Sequence, residues 1–171
     1  QQITGKREAL PEIPTPLGFN GVLRPYQVKG FSWLTFLKKW GLGACLADDM
    51  GLGKTIQFIA LLLQILNSGS KKPTLLVCPT SLVGNWVHEV KRFAPSVKLM
   101  THHGSERLTG EDLALEASKY HLIISTYVLI YRDIDALSAI EWDTVVLDEA
   151  QNIKNYWTKQ ARAVRQLRTC L

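Results

Sequence analysis

Two short stretches of this chain carry residue types and spacings that could do chemistry: DDMGLGKT, Asp48 to Thr55, and DEAQ, Asp148 to Gln151. A triphosphate needs many donors and little steric bulk. Glycines allow this, because they let successive backbone N–H groups turn inward at the start of a helix, where the macrodipole favours anions. Gly51 and Gly53 supply that freedom, Lys54 adds a cation toward the terminal phosphates, and the Thr55 hydroxyl can ligate Mg²⁺. The general pattern G-x-x-x-x-G-K-[ST] asks for glycine at position 48 and finds Asp48. Taken alone, the loop therefore has two readings, a phosphate cradle or a helix start with coincidental glycines. Asp48 and Asp49 would repel a phosphate they faced. Their short side chains are expected to turn away and brace the turn by bonding backbone N–H groups.

The second stretch ends an apolar run, VVLDEA. Asp148 is placed to hold Mg²⁺ through water and Glu149 to orient an attacking water. Solvated acids at a strand end are the plainer alternative. GKT lies about 95 residues upstream, at the end of another apolar run. The two together read as a nucleotide-hydrolysis site.

Elements must bring these stretches together. Short apolar runs occur at ACLA (44–47), TLLVC (74–78), VKLM (97–100), HLIIS (121–125) and TVVLD (144–148). Helical patterns lie between them, near 54–67, 82–94, 110–119 and 127–139, with a last one near 158–169. A helix also opens at Pro25, carries Val28, Phe31, Leu34 and Leu37 at three-residue steps, and can close at Gly41. Thr109 with Asp112 three residues on resembles a capping box. Continuous apolarity marks strands covered on both faces. Strand alternating with helix implies right-handed crossovers and an α/β fold, a parallel sheet with helices on both faces, which binds ligands beyond the carboxyl ends of its strands. Both chemical stretches fall at such ends. Residues 1–22, with Pro11, Pro14 and Pro16, read as an extended lead-in, and 23–171 as one lobe.

The bulk numbers agree with a single soluble unit. The chain has 171 residues, 46% hydrophobic and 20% charged, which excludes disordered and collagen-like classes. The apolar run through Ile59 to Leu63, which Phe58 opens, is far short of a membrane span. Residue 1 is Gln with no basic, apolar leader behind it, so no signal peptide is expected and the start reads as the boundary of a piece. Cys45, Cys78 and Cys170 lie far apart, against a zinc site or disulfide framework, and read as inert thiols of a reducing compartment. Residues 152–171 hold five bases and no acid, equal to the whole net charge of +5.

The motifs resemble those of the Swi/Snf-type ATPases, the DNA-translocating branch of helicase superfamily two, over about residues 22–171. LRPYQVKGFSWL is similar to the family's opening motif, in which Gln27 would read adenine and Arg24 would lie beside the nucleotide. DDMGLGKT is the family's own form of the phosphate loop, so the resemblance places Asp48, Asp49, Met50, Gly51, Leu52, Gly53, Lys54 and Thr55 around ATP, with Thr55 and Asp148 toward Mg²⁺. LLVCPTSLVGNW resembles a segment that touches a DNA backbone, through Pro79, Thr80, Ser81, Asn85 and Trp86. STY looks like the next DNA-contacting loop, with Thr126 and Tyr127. DEAQNIKN resembles the acidic motif, and Gln151, where many members have His, would bond between the phosphate site and another lobe. Many members place a proline soon after IKN, where this chain has Tyr156 and Trp157. The family's next motif, a Ser/Thr-Gly-Thr-Pro-like segment, does not occur after Gln151 in this sequence, nor does a second RecA-like lobe with its arginine finger. The resemblance thus implies a first RecA-like lobe of an ATP-dependent translocase on double-stranded DNA, monomeric by itself. It would be weakly active alone, because an arginine finger supplies about 10³ to 10⁵ in rate.

Residue by residue, plainer roles compete. Ser81 could simply cap a helix, and Trp86, at helical spacing from Val90 and Phe93, suits the core. His102 and His103 lack the further ligands a metal would need and read as a polar loop. The tail helix would set Val164, Leu167 and Leu171 on one face and its arginines in solvent, with DNA or partner-lobe contact as the alternative. A nucleotide-gated DNA-binding module without motor action, and an RNA helicase-like ATPase, are the competing functions. The compartment would be cytoplasmic and nucleoid-associated in a prokaryote, which the DEAQNIKN spelling resembles, or nuclear in a eukaryote.

Overall fold

The computed structural model describes residues 10–46, 53–167 and 169. Four strands, β1 (Thr74–Cys78), β2 (Leu99–Thr101), β3 (Leu122–Thr126) and β4 (Thr144–Leu147), form a sheet in the order β2-β3-β1-β4. Every pairing is parallel. The helices are α1 (Pro25–Lys39), α2 (Lys54–Asn67), α3 (Val83–Phe93), α4 (Gly110–Ala117), α5 (Tyr127–Arg132), α6 (Ile134–Ser138) and α7 (Lys159–Val164). Two 3₁₀ turns, Thr80–Leu82 and Ala150–Ile153, follow β1 and β4.

The pleat sorts the strand side chains into two cores. Leu76, Cys78, Leu122 and Ile124 face α2 and α3, meeting Phe58, Ile59, Leu62, Trp86 and Val90. Their neighbours Leu75, Val77 and Ile123 point the other way, toward Leu113, Ile130, Leu137, Trp142 and Ala163 of the opposite layer. β1 and β3 are buried at every position, which is why their sequences are apolar without alternation. A third cluster, Leu23 and Phe31 against Ala60, Leu61 and Ile65, fixes α1 on the outer side of α2. That contact is close: a Cβ on Gly30 would overlap the Gln57 side-chain amide. At its far end α1 is tied to the start of β4, where Lys38 Nζ lies 2.7 Å from Asp143 Oδ1 and Ser70 Oγ donates to Asp143 Oδ2 at 2.6 Å. The lead-in from residue 10 to 22 contains no helix or strand. It docks through Ile13 N donating to Ser32 Oγ at 2.8 Å and by stacking Phe19 on Phe93.

The parallel, helix-covered sheet is as expected, and α2 and α3 begin and end within a residue of their sequence patterns. Four local expectations fail. Residues 44–46 of ACLA belong to no strand, and Ala47 lies outside the described residues; an apolar run becomes a strand only by finding a ladder partner, which the run itself does not encode. The single helix expected over 127–139 is broken at Asp133, whose carboxylate is held by Arg107. The tail helix stops at Val164, and Thr169 instead bridges to Trp142 beside the sheet. Thr109 stands at the N-cap of α4 without a side-chain cap bond, and Glu111 and Asp112 in the first turn complement the helix dipole instead.

Candidate nucleotide and nucleic-acid site

Parallel pairing brings three strand ends to one level. Cys78 is the register partner of Thr126, and Val77 that of Leu147; the ladder runs one step further, with Asp148 N donating to Val77 O at 2.8 Å. The chain beyond β1 (Pro79, Thr80, Ser81), beyond β3 (Tyr127) and beyond β4 (Asp148, Glu149) thus emerges side by side at the carboxyl edge of the sheet. This is the edge at which α/β sheets bind ligands.

Asp148 is held from two directions. Trp86 Nε1 donates to its Oδ2 at 2.8 Å, and the Tyr127 hydroxyl donates to its main-chain oxygen at 2.7 Å. Trp86 is only 4% exposed, and Phe58 of α2 meets it edge-on with ring centroids 5.6 Å apart. Phe58 lies one turn beyond Lys54. One indole therefore stands between the first turns of α2 and the acid at the end of β4. Burial pushes the Tyr127 hydroxyl above its ordinary value, helped by the charge of Asp148, so it remains a proton donor. Burial likewise raises the Cys78 thiol to about 12, with Asp148 adding to the effect, and Cys78 is an inert thiol. Cys45 is exposed, and Cys170 lies outside the described residues.

Glu149 takes the left-handed conformation with φ 55°, rare for a residue with a side chain. Asn152 braces it, through N and Nδ2, both donating to Glu149 O at 3.0 and 2.7 Å. The Gln151 amide donates to the Glu149 carboxylate. Two acids in succession, one fixed by donors from α3 and α5 and one by the turn that follows, thus share the strand end.

The start of α2 approaches from the other side. Its N-cap, Gly53, has φ 76°, and a Cβ there would overlap the amide nitrogen of Gln27. Only glycine satisfies both the dihedral and the contact. Gln27 is buried, and its Oε1 accepts from Arg24 N at 2.9 Å, which closes the first turn of α1. Gln27, Gly53, Lys54 and Thr55 are therefore contiguous, with Arg24 exposed beside them. Asp48, Asp49, Met50, Gly51 and Leu52 lie outside the described residues, as does the expected bracing of the turn by the two aspartates.

Of the residues assigned to a DNA backbone, Thr80, Ser81 and Asn85 are exposed around the start of α3, and Pro79 is half-buried. Leu82 holds the N-cap of α3, so the simple capping role for Ser81 is not observed. Trp86 belongs to the core, as its spacing suggested, and not to a contact surface. Thr126 and Tyr127 are buried too: the Thr126 hydroxyl accepts from Leu129 N at 3.4 Å and caps α5.

The polar-loop reading fails for His102. This ring is buried, with Nδ1 2.9 Å from Ser125 Oγ and Nε2 3.1 Å from Asp133 Oδ2, and Arg107 Nε completes the chain 2.7 Å from the same oxygen. Burial lowers the His102 pKa, against the pull of Asp133. The cluster includes Ser125 of the STY segment, and local pattern does not reveal it, because its members are spread between residues 102 and 133. Among the described residues no group of three or more His, Cys, Asp or Glu could hold a metal, and no helix is long and apolar enough to cross a membrane.

Comparison with known proteins agrees with this arrangement. The SNF2-related domain matches residues 26–170. YwqA of Bacillus subtilis is 49% identical over 94% of this chain, and helicase SWR1 of Candida albicans 37% over 92%. The human chromatin-remodeling ATPase INO80 is 36% identical over 84%. The chain spans 18% of YwqA and 10% of each of the other two. Among solved structures, the Sulfolobus solfataricus SWI2/SNF2 ATPase core in complex with double-stranded DNA superposes with a TM-score of 0.81 at 42% identity, covering 90% of this chain and 31% of that one. The shared sheet and sequence, over nearly the whole length, place this chain in the SNF2-related domain family.

Proposed function

We propose that this chain is the first motor lobe of an ATP-dependent translocase on double-stranded DNA, with the nucleotide between Gly53–Thr55 and the acid pair Asp148–Glu149. The observation that best supports this is the convergence at one sheet edge. The acid pair and the exposed Thr80, Ser81 and Asn85 follow neighbouring strand ends there, and the helix that starts at Lys54 reaches Asp148 through Phe58 and Trp86. Relatives named as helicases and remodelling ATPases, and a related core solved with double-stranded DNA, favour the same reading.

In this reading the chain's own groups divide the work. Backbone N–H groups at the start of α2 and the Lys54 ammonium bind the phosphates, and the Gln27 amide lies against the loop to receive the base. Glu149, steadied by Gln151, orients the attacking water. A nucleotide-borne Mg²⁺ takes only one or two carboxylates and keeps several waters. Asp148 with Thr55 is therefore a sufficient donor set, and the Asp148 oxygen not engaged by Trp86 is the one that can face the ion. When bound, Mg²⁺ supplies neutralisation of the charge developing on the phosphate oxygens. Thr80, Ser81 and Asn85 offer hydroxyl and amide groups to a phosphate backbone, contacts that position a strand without reading its bases. Closure against a second lobe and reopening after hydrolysis would move the protein along the duplex.

The test is the ATPase rate of the full-length parent chain. Stimulation by duplex DNA above that by RNA, abolished in Glu149→Gln, is expected. A rate indifferent to DNA rejects the translocase, and stronger stimulation by RNA favours an RNA-dependent enzyme.

A further inference from the structure

Trp86 and Tyr127 stand in the two segments assigned to DNA, yet both side chains turn inward and donate to the same residue, Asp148. An indole N–H and a phenol O–H are each single donors on rigid rings. Both are anchored. The indole packs edge-on against Phe58 and is 4% exposed, and Tyr127 is 7% exposed at the start of α5. One bond fixes a carboxylate oxygen and the other the main chain carrying it, so together they limit both rotation of the side chain and sliding of the strand end. Neither ring could be replaced by an aliphatic residue of similar size without losing its donor.

We propose that Trp86 and Tyr127 are positioning residues for the metal-facing carboxylate of Asp148. They aim its second oxygen at the nucleotide-borne Mg²⁺ and make the two segments at the polynucleotide edge responsible for the geometry of the acid. The inference rests on the reading of Asp148 as the residue that faces Mg²⁺. Partners that orient a metal-binding carboxylate typically change metal affinity or activity about 10- to 100-fold when removed.

The experiment titrates Mg²⁺ into the full-length parent chain holding a fluorescent ADP analogue, and reads the Mg²⁺ concentration at half-maximal enhancement of nucleotide binding. Trp86→Phe keeps an aromatic ring against Phe58 and deletes the N–H; Tyr127→Phe deletes only the hydroxyl. Each is expected to raise the Mg²⁺ midpoint about tenfold while leaving nucleotide affinity without Mg²⁺ within about twofold. A variant that merely loosened the fold would weaken both. Asp148→Asn is the control and is expected to remove the Mg²⁺ enhancement. If it does while Trp86→Phe and Tyr127→Phe keep the parent midpoint, the positioning role is overturned and the function stands. If Asp148→Asn leaves the enhancement intact, it is the metal-facing reading of Asp148 that fails. Should Trp86→Phe not fold, Tyr127→Phe decides alone, an unchanged midpoint refuting the proposal.

Discussion

Replacing Gly53 by alanine tests the junction between α1 and the start of α2. Two costs follow from the structure. The backbone is left-handed at φ 76°, which is unfavourable by about 1 to 2 kcal/mol for a residue with a Cβ, and about 0.5 kcal/mol of this is offset by the stiffer unfolded chain. The new methyl would also overlap the Gln27 amide nitrogen. Gln27 is buried, and it can move only by giving up the bond from Arg24 N, worth about 1 kcal/mol. Gly53→Ala should therefore destabilise by about 2 kcal/mol. Gln27→Ala alone loses the same Arg24 bond, at about 1 kcal/mol or somewhat more. Once Gln27 is truncated the methyl has room, so the double variant should cost about 1 kcal/mol less than the two singles together, well within the coupling seen for residues in contact. Urea unfolding of the four proteins, read as midpoints at constant slope, measures this. Additivity within about 0.4 kcal/mol would refute the contact, and with it the placement of Gln27 against Gly53.

Trp142 is fully buried and donates from Nε1 to Leu137 O at 2.9 Å. Trp142→Phe gives up that bond, with Leu137 O keeping the backbone N–H of Ile140, and leaves a void, and should cost about 2 kcal/mol in urea unfolding. The pH dependence of stability should carry a mark of His102. Burial holds its pKa below 6.5, so the folded state favours the neutral ring, faced by Asp133 and Arg107, while the unfolded chain takes up a proton first. Its contribution is complete above the unfolded value and declines as pH falls through the window below it. The stability difference between the parent and His102→Gln should shrink as pH falls below the ordinary histidine value of 6.5, and an unchanged difference would contradict the buried, neutral ring.

What could be read from sequence was what short-range pattern encodes. β1 and β3 announced themselves by apolar runs, α2 by good helix formers after a glycine, and the acid pair by its place at a run's end. What escaped depends on partners far along the chain. Asp133 breaks a helix that local pattern would continue, because Arg107 and His102 hold it from 26 and 31 residues upstream. ACLA has the composition of a strand, but composition does not supply the neighbour that makes one. Trp86 suited the core by spacing, and only the fold revealed that its single polar atom reaches Asp148. Both Thr126 and Tyr127 carry side chains typical of a surface contact, and the fold uses them as a cap and a tether.

Glycine would occupy the left-handed backbone of Glu149 with about 1 kcal/mol less strain. A chain shaped for rigidity alone would have a bare main chain at that corner. The carboxylate is instead carried on a left-handed backbone whose oxygen the Asn152 amide holds, and is itself bonded by the Gln151 amide, so the local fold tolerates strain at a residue that presents an acid. Selection for heat resistance alone would favour glycine at this corner, and the sturdier protein would be missing the carboxylate to which the proposed function assigns the water.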